Sequence, residues 1–297
     1  MIMKKTILLS MTVFALGCQT LTQRGSTSPQ DSTPVSGSQD SRTSEPPPPP
    51  IEPVTPTAPK SNYKVGIILG PGGAKTFSQV GFLKQLQMKR VPVHAIVGIE
   101  WGSLVAASFA AKGSAHETEW QLSKMKGLDK GWFSDGAADV KKVLDPIGSY
   151  LSSYKAESMK LPFGCPSLNI KKSQVYMMAR GRLDQLLPFC LAYPPTFKSH
   201  ERTIAGVREI NSAVDYLRSQ GANYIILVNV LSQLDQDAPI NWHEISYDMK
   251  RKWPGVHERL DLQMGSKKLN DFNSRQEMIE SGMEQSAGFV ERLANKL

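Results

Sequence analysis

The sequence from residue 61 to residue 297 predicts one domain of the α/β class. These 237 residues are enough for one large hydrophobic core and too few for two catalytic domains of typical size. Two consecutive segments each have the pattern of a strand, a glycine turn and a helix, which is typical of α/β sheets. A hydrophobic content of 40% for the whole chain also excludes a fully disordered protein.

The first unit begins with the apolar run of residues 65–69, which predicts a buried strand. Residues 70–75 follow as a glycine-rich turn, and the spacing of Val80, Leu83 and Leu86 predicts a helix. Such a turn directs backbone N–H groups toward a phosphate or a developing oxyanion. A tight connection without a ligand explains the glycines equally well. A dinucleotide site is disfavoured because the loop lacks the Gly-x-Gly-x-x-Gly pattern.

The second unit has the skeleton of a nucleophile elbow. Residues 93–97 predict a strand, residues 98–102 (Gly-Ile-Glu-Trp-Gly) a turn, and residues 103–111 a helix of small and apolar residues. In the Gly-x-Ser-x-Gly elbow, the glycines permit a sharp turn that places the central side chain at the start of a helix. Here the central residue is Glu100 instead of serine.

On these motifs, residues 63–297 resemble the bacterial patatin-like phospholipase family. Residues 70–76 match the family's glycine-rich oxyanion loop, and residues 98–106 match its Gly-Thr-Ser-Met-Gly-Ser-Leu-Val-Gly elbow, 28 residues later. Weaker matches follow in family order at residues 161–163, 192–195 and 221–226, and in the closing helix from residue 274. The resemblance implies a three-layer α/β/α fold with a mainly parallel central sheet.

The resemblance also implies a Ser-Asp dyad for ester hydrolysis, and both of its positions are altered. Glu100 takes the place of the serine and Ala205 that of the aspartate. Residues 191–213 contain no Asp, so only Glu201 and Glu209 remain as substitutes. The predicted site combines these two degenerate dyad positions with the oxyanion loop and the elbow. The oxyanion-loop residues are Gly70, Gly72, Gly73, Ala74 and Lys75, and the elbow residues are Gly98, Trp101 and Gly102.

A carboxylate at the head of a helix is stabilised by the helix dipole, by about 0.3–1 kcal/mol. We therefore expect Glu100 to accept hydrogen bonds from the amides of Gly72 and Gly73, in the place of a substrate oxyanion. Lys75, where the family usually has Arg, is able to pair with the carboxylate, and Trp101 adds bulk where the family has Met or Ala. Together these residues predict a site that is plugged by its own side chains.

Three further features bear on an enzymatic function. Ser103 lies close to the elbow, but on the first helical turn a structural role is expected. Residues 135–137 (Asp-Gly-Ala) spell the dyad tripeptide outside the family order, which predicts a surface turn. Glu100 itself is an alternative catalyst, acting as a general base toward a water held near Gly72 and Gly73.

The preferred function is a pseudoenzyme of this family that retains the binding of an acyl or lipid ligand or of a protein partner. The alternative is an active lipid acyl hydrolase, a phospholipase or esterase that uses Glu100 or an unconventional nucleophile. No cofactor is expected, and the five histidines lack zinc-site spacing. Cys165 and Cys190 are compatible with one disulfide or with two free thiols.

The net charge of +8 leaves +7 on residues 61–297, which is compatible with contact with anionic lipid and equally with a basic surface that only keeps the domain in solution. A nucleic-acid partner is not expected, because the Lys and Arg residues are scattered and no nucleic-acid-binding motif concentrates them.

Residues 1–17 predict a lipoprotein signal peptide. Lys4 and Lys5 precede an apolar stretch that is too short to span a bilayer. Residues 15–18 (Ala-Leu-Gly-Cys) resemble a bacterial lipobox, which implies cleavage before Cys18 and lipidation of that cysteine. An ordinary signal peptide with an incidental Cys18 is the alternative. Gln19, where Asp would favour retention, suggests sorting to the outer membrane.

Residues 18–60 predict a disordered tether behind the lipidated cysteine. Half of the 20 prolines fall in this segment, among Ser, Thr and Gln, with almost no large apolar residues. A segment of this length and composition extends up to on the order of 100 Å. The predicted location is therefore the cell envelope, attached to the membrane through Cys18, with the domain facing the periplasm or the cell surface.

Overall fold

The central sheet of this protein consists mainly of parallel strands. The computed structural model describes residues 62–125 and 137–297. Within these ranges seven strands form one sheet: β1 Val65–Leu69, β2 Val93–Gly98, β3 Phe163–Asn169, β4 Gln174–Met178, β5 Thr203–Ala205, β6 Tyr224–Asn229 and β7 Glu258–Asp261. Their order is β4-β3-β2-β1-β6-β7, and β5 also pairs with β3. The strands β3, β2, β1, β6 and β7 run parallel, while β4 and β5 are antiparallel to β3. The predicted, mainly parallel sheet is confirmed.

The central strands are buried on both faces. In β1, Ile67 and Leu69 belong to one hydrophobic cluster and Ile68 to another. In β6, Ile226 belongs to the first of these clusters and Ile225 to the second. Because successive side chains of a strand point to opposite faces, a continuous apolar run requires cover on both sides of the sheet.

Helices supply that cover. The described residues contain nine α-helices: α1 Phe77–Met88, α2 Trp101–Lys112, α3 Ala115–Ser123, α4 Val140–Leu144, α5 Gly148–Ser152, α6 Leu183–Leu191, α7 Ile210–Ser219, α8 Ile240–Met249 and α9 Arg275–Lys296. Side chains of α1, α2, α6 and α9 pack in the cluster that contains Ile67. Side chains of α7 and α8 pack in the cluster that contains Ile68. The three-layer α/β/α arrangement is therefore confirmed.

The elements that carry the elbow differ slightly from the prediction. Strand β1 has the predicted bounds, and β2 extends one residue further, to Gly98. Helix α2 begins at Trp101, two residues before the predicted start. The physical reason is that one residue, Glu100 at φ 53°, makes the whole reversal. Trp101 and Gly102 are thus free to form the first turn of α2.

A disulfide joins the sheet to the helix layer. Cys165 of β3 and Cys190 of α6 are bonded, with their Cα atoms 5.9 Å apart. Both side chains are fully buried. Of the two alternatives compatible with the sequence, the structure has the disulfide. Among the residues that the structure describes, no helix is both long enough and apolar enough to cross a bilayer.

Candidate functional site

Glu100 occupies the summit of the turn between β2 and α2. Its backbone lies at φ 53° and ψ −128°, a region that residues other than glycine rarely adopt. The glycines on either side allow the close packing that this turn requires. A Cβ on Gly98 would lie 2.3 Å from the oxygen of Gly102, and a Cβ on Gly102 would lie 2.5 Å from the oxygen of Leu69. The local chain therefore has the geometry of a nucleophile elbow with a carboxylate at its tip.

The glycine loop between β1 and α1 holds this carboxylate. Glu100 Oε2 accepts hydrogen bonds from the backbone N–H of Gly72 at 3.2 Å and of Gly73 at 2.9 Å. The loop continues directly into a short 3-10 helix, Gly73–Thr76, that leads into α1. Both predicted hydrogen bonds are present. In an elbow with serine, two such amides are free to stabilise a substrate oxyanion.

The environment of Glu100 makes its ionised form costly. The residue is 1% exposed, and burial raises its pKa from the usual 4.5 to about 7, although the nearby amides of Trp101, Gly73 and Gly72 act in the opposite direction. Its second oxygen, Oε1, is buried without a hydrogen-bond partner among the described residues. The carboxyl group is therefore divided between its charged and neutral forms near neutral pH.

Lys75 does not form the ion pair with Glu100 that its charge would allow. Its Nζ donates to the backbone oxygen of Gln233 at 2.7 Å and of Gly265 at 3.2 Å. Burial lowers the pKa of Lys75, and the charge of Asp235 opposes that shift. The ammonium therefore joins the loop after β6 to the loop after β7. The lysine lies on the short 3-10 helix, which directs it toward these loops and away from the elbow.

The groove over the oxyanion amides is closed. Trp101 is 1% exposed, and its ring packs against Phe272 at 4.8 Å and Phe197 at 5.7 Å between centroids. On the other side, the oxygen of Leu269 accepts the N–H of Ala74 at 2.7 Å. A Cβ on Gly73 would lie only 2.2 Å from that oxygen. Trp101 is thus packed in an aromatic cluster, and the backbone at Leu269 covers Gly73.

Leu269 was not identified from the sequence. It contributes a backbone carbonyl, and it follows Ala74 by almost two hundred residues. A main-chain contact of this kind leaves no pattern in residue type, so nothing in the sequence marks it. The same holds for the carbonyl partners of Lys75.

The remaining candidate side chains have structural surroundings. Ser103 is fully buried and donates to the oxygen of Gly98 at 2.9 Å, in line with a structural role. Ala205 ends β5, pairs with Ser167 of β3 and is buried. Its methyl group has no acid–base chemistry, so this residue cannot act as a base.

The two glutamates that could replace the missing aspartate have other partners. Glu201 lies in an exposed turn, 3.7 Å from His200 Nε2. Glu209 accepts a hydrogen bond from the Ser212 hydroxyl at 3.1 Å. The structure gives neither carboxylate a contact with Glu100, so a substitute dyad is not assembled.

Some predicted features lie outside the described residues. These are Cys18, the tether, and the first two residues of the Asp-Gly-Ala tripeptide at residues 135–137. Within residues 62–125 and 137–297, no group of three His, Cys, Asp or Glu side chains is placed to hold a metal ion.

No protein-family profile matches the chain. Lysophospholipase NTE1 of Scheffersomyces stipitis is 26% identical over 239 residues, which cover 69% of this chain and 15% of that protein. An NTE family protein of Mycobacterium tuberculosis is 23% identical over 146 residues, which cover 48% of this chain and 41% of that protein. Among solved structures, VipD from Legionella pneumophila covers 78% of this chain and 67% of its own, at a TM-score of 0.46 and 10% identity.

The TM-score is too low to add to the fold described above. The chain also spans only a small part of the fungal lysophospholipase that it matches, 15% of its length. The names of these sequence relatives nevertheless agree with the resemblance that the sequence motifs indicate. The chain is thus similar to the NTE and patatin-like phospholipases.

Proposed function

We propose that this protein is a pseudoenzyme of the patatin-like type, which binds an acyl or lipid ligand or a protein partner at the cell envelope. The observation that carries the proposal is the position of the Glu100 carboxylate. It accepts the N–H groups of Gly72 and Gly73, so these two amides are not available to a substrate oxyanion. An acyl or lipid ligand is supported by relatives that are named lysophospholipases.

Loss of the dyad removes the two covalent steps of serine hydrolysis. A carboxylate can act as a nucleophile in some enzymes, but Glu100 is buried and already held by the amides that would stabilise the oxyanion. Ala205 provides no base. The protein therefore retains the architecture of the site without the groups that perform acyl transfer.

Purified full-length protein tests this proposal with short and long acyl esters and with lysophosphatidylcholine. We expect neither turnover nor labelling by a fluorophosphonate serine probe, in the wild type and in Glu100→Ala alike. Wild-type turnover that disappears in Glu100→Ala would contradict the proposal. Native mass spectrometry after extraction then distinguishes a ligand-binding protein from a purely structural lipoprotein, for which no bound ligand is expected.

Two substitutions at one position test the plug separately. Glu100→Gln keeps a side-chain oxygen that can accept from Gly72 and Gly73, whereas Glu100→Ala leaves both amides free. We expect Glu100→Ala, and not Glu100→Gln, to increase the affinity for a fluorescent fatty acid, measured by titration. Equal affinities in the two variants would remove the support for the plug.

One observation favours the second candidate, an active lipid acyl hydrolase. Burial raises the pKa of Glu100 to about 7, a value that suits a general base at neutral pH. This function requires movement of Trp101 or of the backbone at Leu269, so that water and an ester reach the carboxylate. Turnover that rises with pH through about 7 and is lost in Glu100→Gln is the result expected of this candidate.

A further inference from the structure

A second cavity lies between the two loops that Lys75 joins. It has a volume of about 320 Å³. One side is lined by residues 234, 235 and 237–239, on the loop between β6 and α8. Residues 267–270, on the loop between β7 and α9, line the opposite side. Glu100 and the oxyanion amides of Gly72 and Gly73 are not part of its wall. The cavity therefore adjoins the elbow site through Lys75 and Leu269, without including its carboxylate or its two amides.

The two loops carry opposite charges. Asp235 and Asp237 lie on the first, Lys267 and Lys268 on the second. The ammonium of Lys267 is engaged by Glu277 at 2.6 Å. The Lys268 ammonium and the Asp237 carboxylate form no ion pair and no side-chain hydrogen bond with any described residue. One free cation and one free anion thus lie on different walls of the same cavity.

Apolar groups line the same cavity as these charges. The wall includes Pro195, Leu234, Ala238, Pro239 and Leu269. A cavity with an apolar lining and a few convergent polar groups is the usual form of a small-molecule site. A ligand that matches this one has an apolar body and an opposite charge at each end.

We propose that this cavity binds a short apolar peptide as a zwitterion, with its ammonium group toward Asp237 and its carboxylate toward Lys268. The size agrees: a sphere of the cavity's volume is about 8.5 Å across, and two or three extended residues span about 7–10 Å. The zwitterionic headgroup of a lipid fits less well. Its two charges are only a few bonds apart, whereas here the cation and the anion lie on two different loops.

Isothermal titration calorimetry of the full-length protein with dileucine tests the proposal. Dileucine carries both terminal charges, N-acetyl-dileucine keeps only the carboxylate, and dileucine amide keeps only the ammonium. We expect dileucine to bind, and each blocked derivative to bind about three- to tenfold more weakly, the range for charged hydrogen bonds at a partly exposed site. Binding of dileucine that blocking does not change would overturn the assignment of both charges.

Two variants connect each ligand charge to one residue. Lys268→Met should weaken dileucine binding about as much as amidation does, and should leave the affinity for dileucine amide unchanged. Asp237→Asn should weaken dileucine binding and leave N-acetyl-dileucine unchanged. Lys172→Met, at an exposed lysine in the turn between β3 and β4, is the matched control and should bind all three compounds like the wild type.

Both altered side chains are exposed, so the variants should keep the wild-type melting temperature, which confirms that they fold. Two results would refute the proposal. One is no heat of binding for dileucine up to about 10 mM, which corresponds to a binding free energy weaker than about −3 kcal/mol. The other is saturable binding of lysophosphatidylethanolamine that requires Lys268 and Asp237 while dileucine fails to bind.

Discussion

The identity of residue 100 determines what the elbow can do. The turn places this residue at positive φ, at the start of α2 and opposite two backbone N–H groups. A serine there would present a hydroxyl to a substrate whose oxyanion uses the amides. Glutamate is long enough to reach the amides itself, so the same backbone geometry produces an internal contact.

Glu100 should make the stability of the protein depend on pH. Its pKa is raised from 4.5 to about 7 by folding, so the folded state binds the proton more tightly than the unfolded state. Its contribution is therefore fully present below pH 4.5 and is lost as the pH rises through about 7. The loss amounts to about 3.5 kcal/mol at most, at about 1.4 kcal/mol for each pKa unit.

Glu100→Gln isolates this contribution, because every other titrating group is the same in both proteins. The free energy of unfolding should be measured in urea for both at several values between pH 4.5 and 8. We expect the wild type to lose stability relative to Glu100→Gln as the pH rises over this range. A constant difference would show that the carboxyl group titrates at its ordinary pKa in the folded protein.

Residue chemistry could predict the contacts of Glu100 but not those of Lys75. The hydrogen bonds to Gly72 and Gly73 follow from two adjacent strand-turn-helix units, whose turns meet at one edge of a parallel sheet. Lys75 has a long side chain and finds its partners on Gln233 and Gly265. The positions of those carbonyls depend on two distant loops, for which the sequence has no periodic pattern.

At the scale of elements, α1 and α9 approach each other through glycine. A Cβ on Gly282 of α9 would lie 2.0 Å from the oxygen of Ser78, and a Cβ on Gly81 of α1 would lie 2.1 Å from the oxygen of Ile279. Both obstructing atoms belong to the backbone, so no side chain can move aside. The two helices can keep this distance only while both positions lack a side chain.

Gly282→Ala should therefore destabilise the protein. Pushing the helices apart disturbs the core, at a cost of about 1–3 kcal/mol or more for an overpacked site. Thermal and urea unfolding would measure the loss. The measured cost will be slightly smaller than the clash alone, because alanine also restricts the unfolded chain.

Gly288→Ala is the matched control on the same helix. The nearest atom to its added Cβ is the end of the Arg292 side chain, at 3.8 Å. Alanine there should increase stability by about 0.5–1 kcal/mol, through helix propensity alone. If both variants lost stability, the close contact between α9 and α1 would not explain the effect, and the glycines of α9 would instead be needed for the flexibility of that helix.

Elements with a strong local pattern were predictable. The apolar run of β1, the small apolar residues of α2 and the closing helix α9 all formed close to their predicted positions. The backbone at Leu269, which closes the groove, has no such pattern. It is held there by the hydrogen bond from Ala74 and by the Lys75 contacts, which exist only once the sheet has brought distant loops together.

For the whole molecule, the disulfide limits the freedom of the unfolded chain. Cys165 and Cys190 enclose a loop of 25 residues, for which loop closure accounts for about 3.5 kcal/mol. The double variant Cys165→Ala/Cys190→Ala should lose that amount, or roughly 10 °C in melting temperature for a domain of this size. Mass spectrometry with a thiol-alkylating reagent, before and after reduction, checks that the wild type holds the bond. A wild-type melting temperature in the double variant would contradict its stabilising role.

The attachment of the molecule is predicted to depend on one residue, Cys18. A lipidated Cys18 with more than one acyl chain anchors a protein stably, whereas the basic charge of residues 61–297 gives only a salt-sensitive attraction to anionic lipid. On expression in a bacterium with two membranes, Cys18→Ser should therefore abolish labelling with radioactive palmitate and release the protein from membranes in high salt. Gln19→Asp is the matched control: it should keep the label and the membrane attachment, and shift the protein from the outer to the inner membrane fraction. Palmitate labelling that persists in Cys18→Ser would show that another group carries the lipid, and that the tether does not begin at this cysteine.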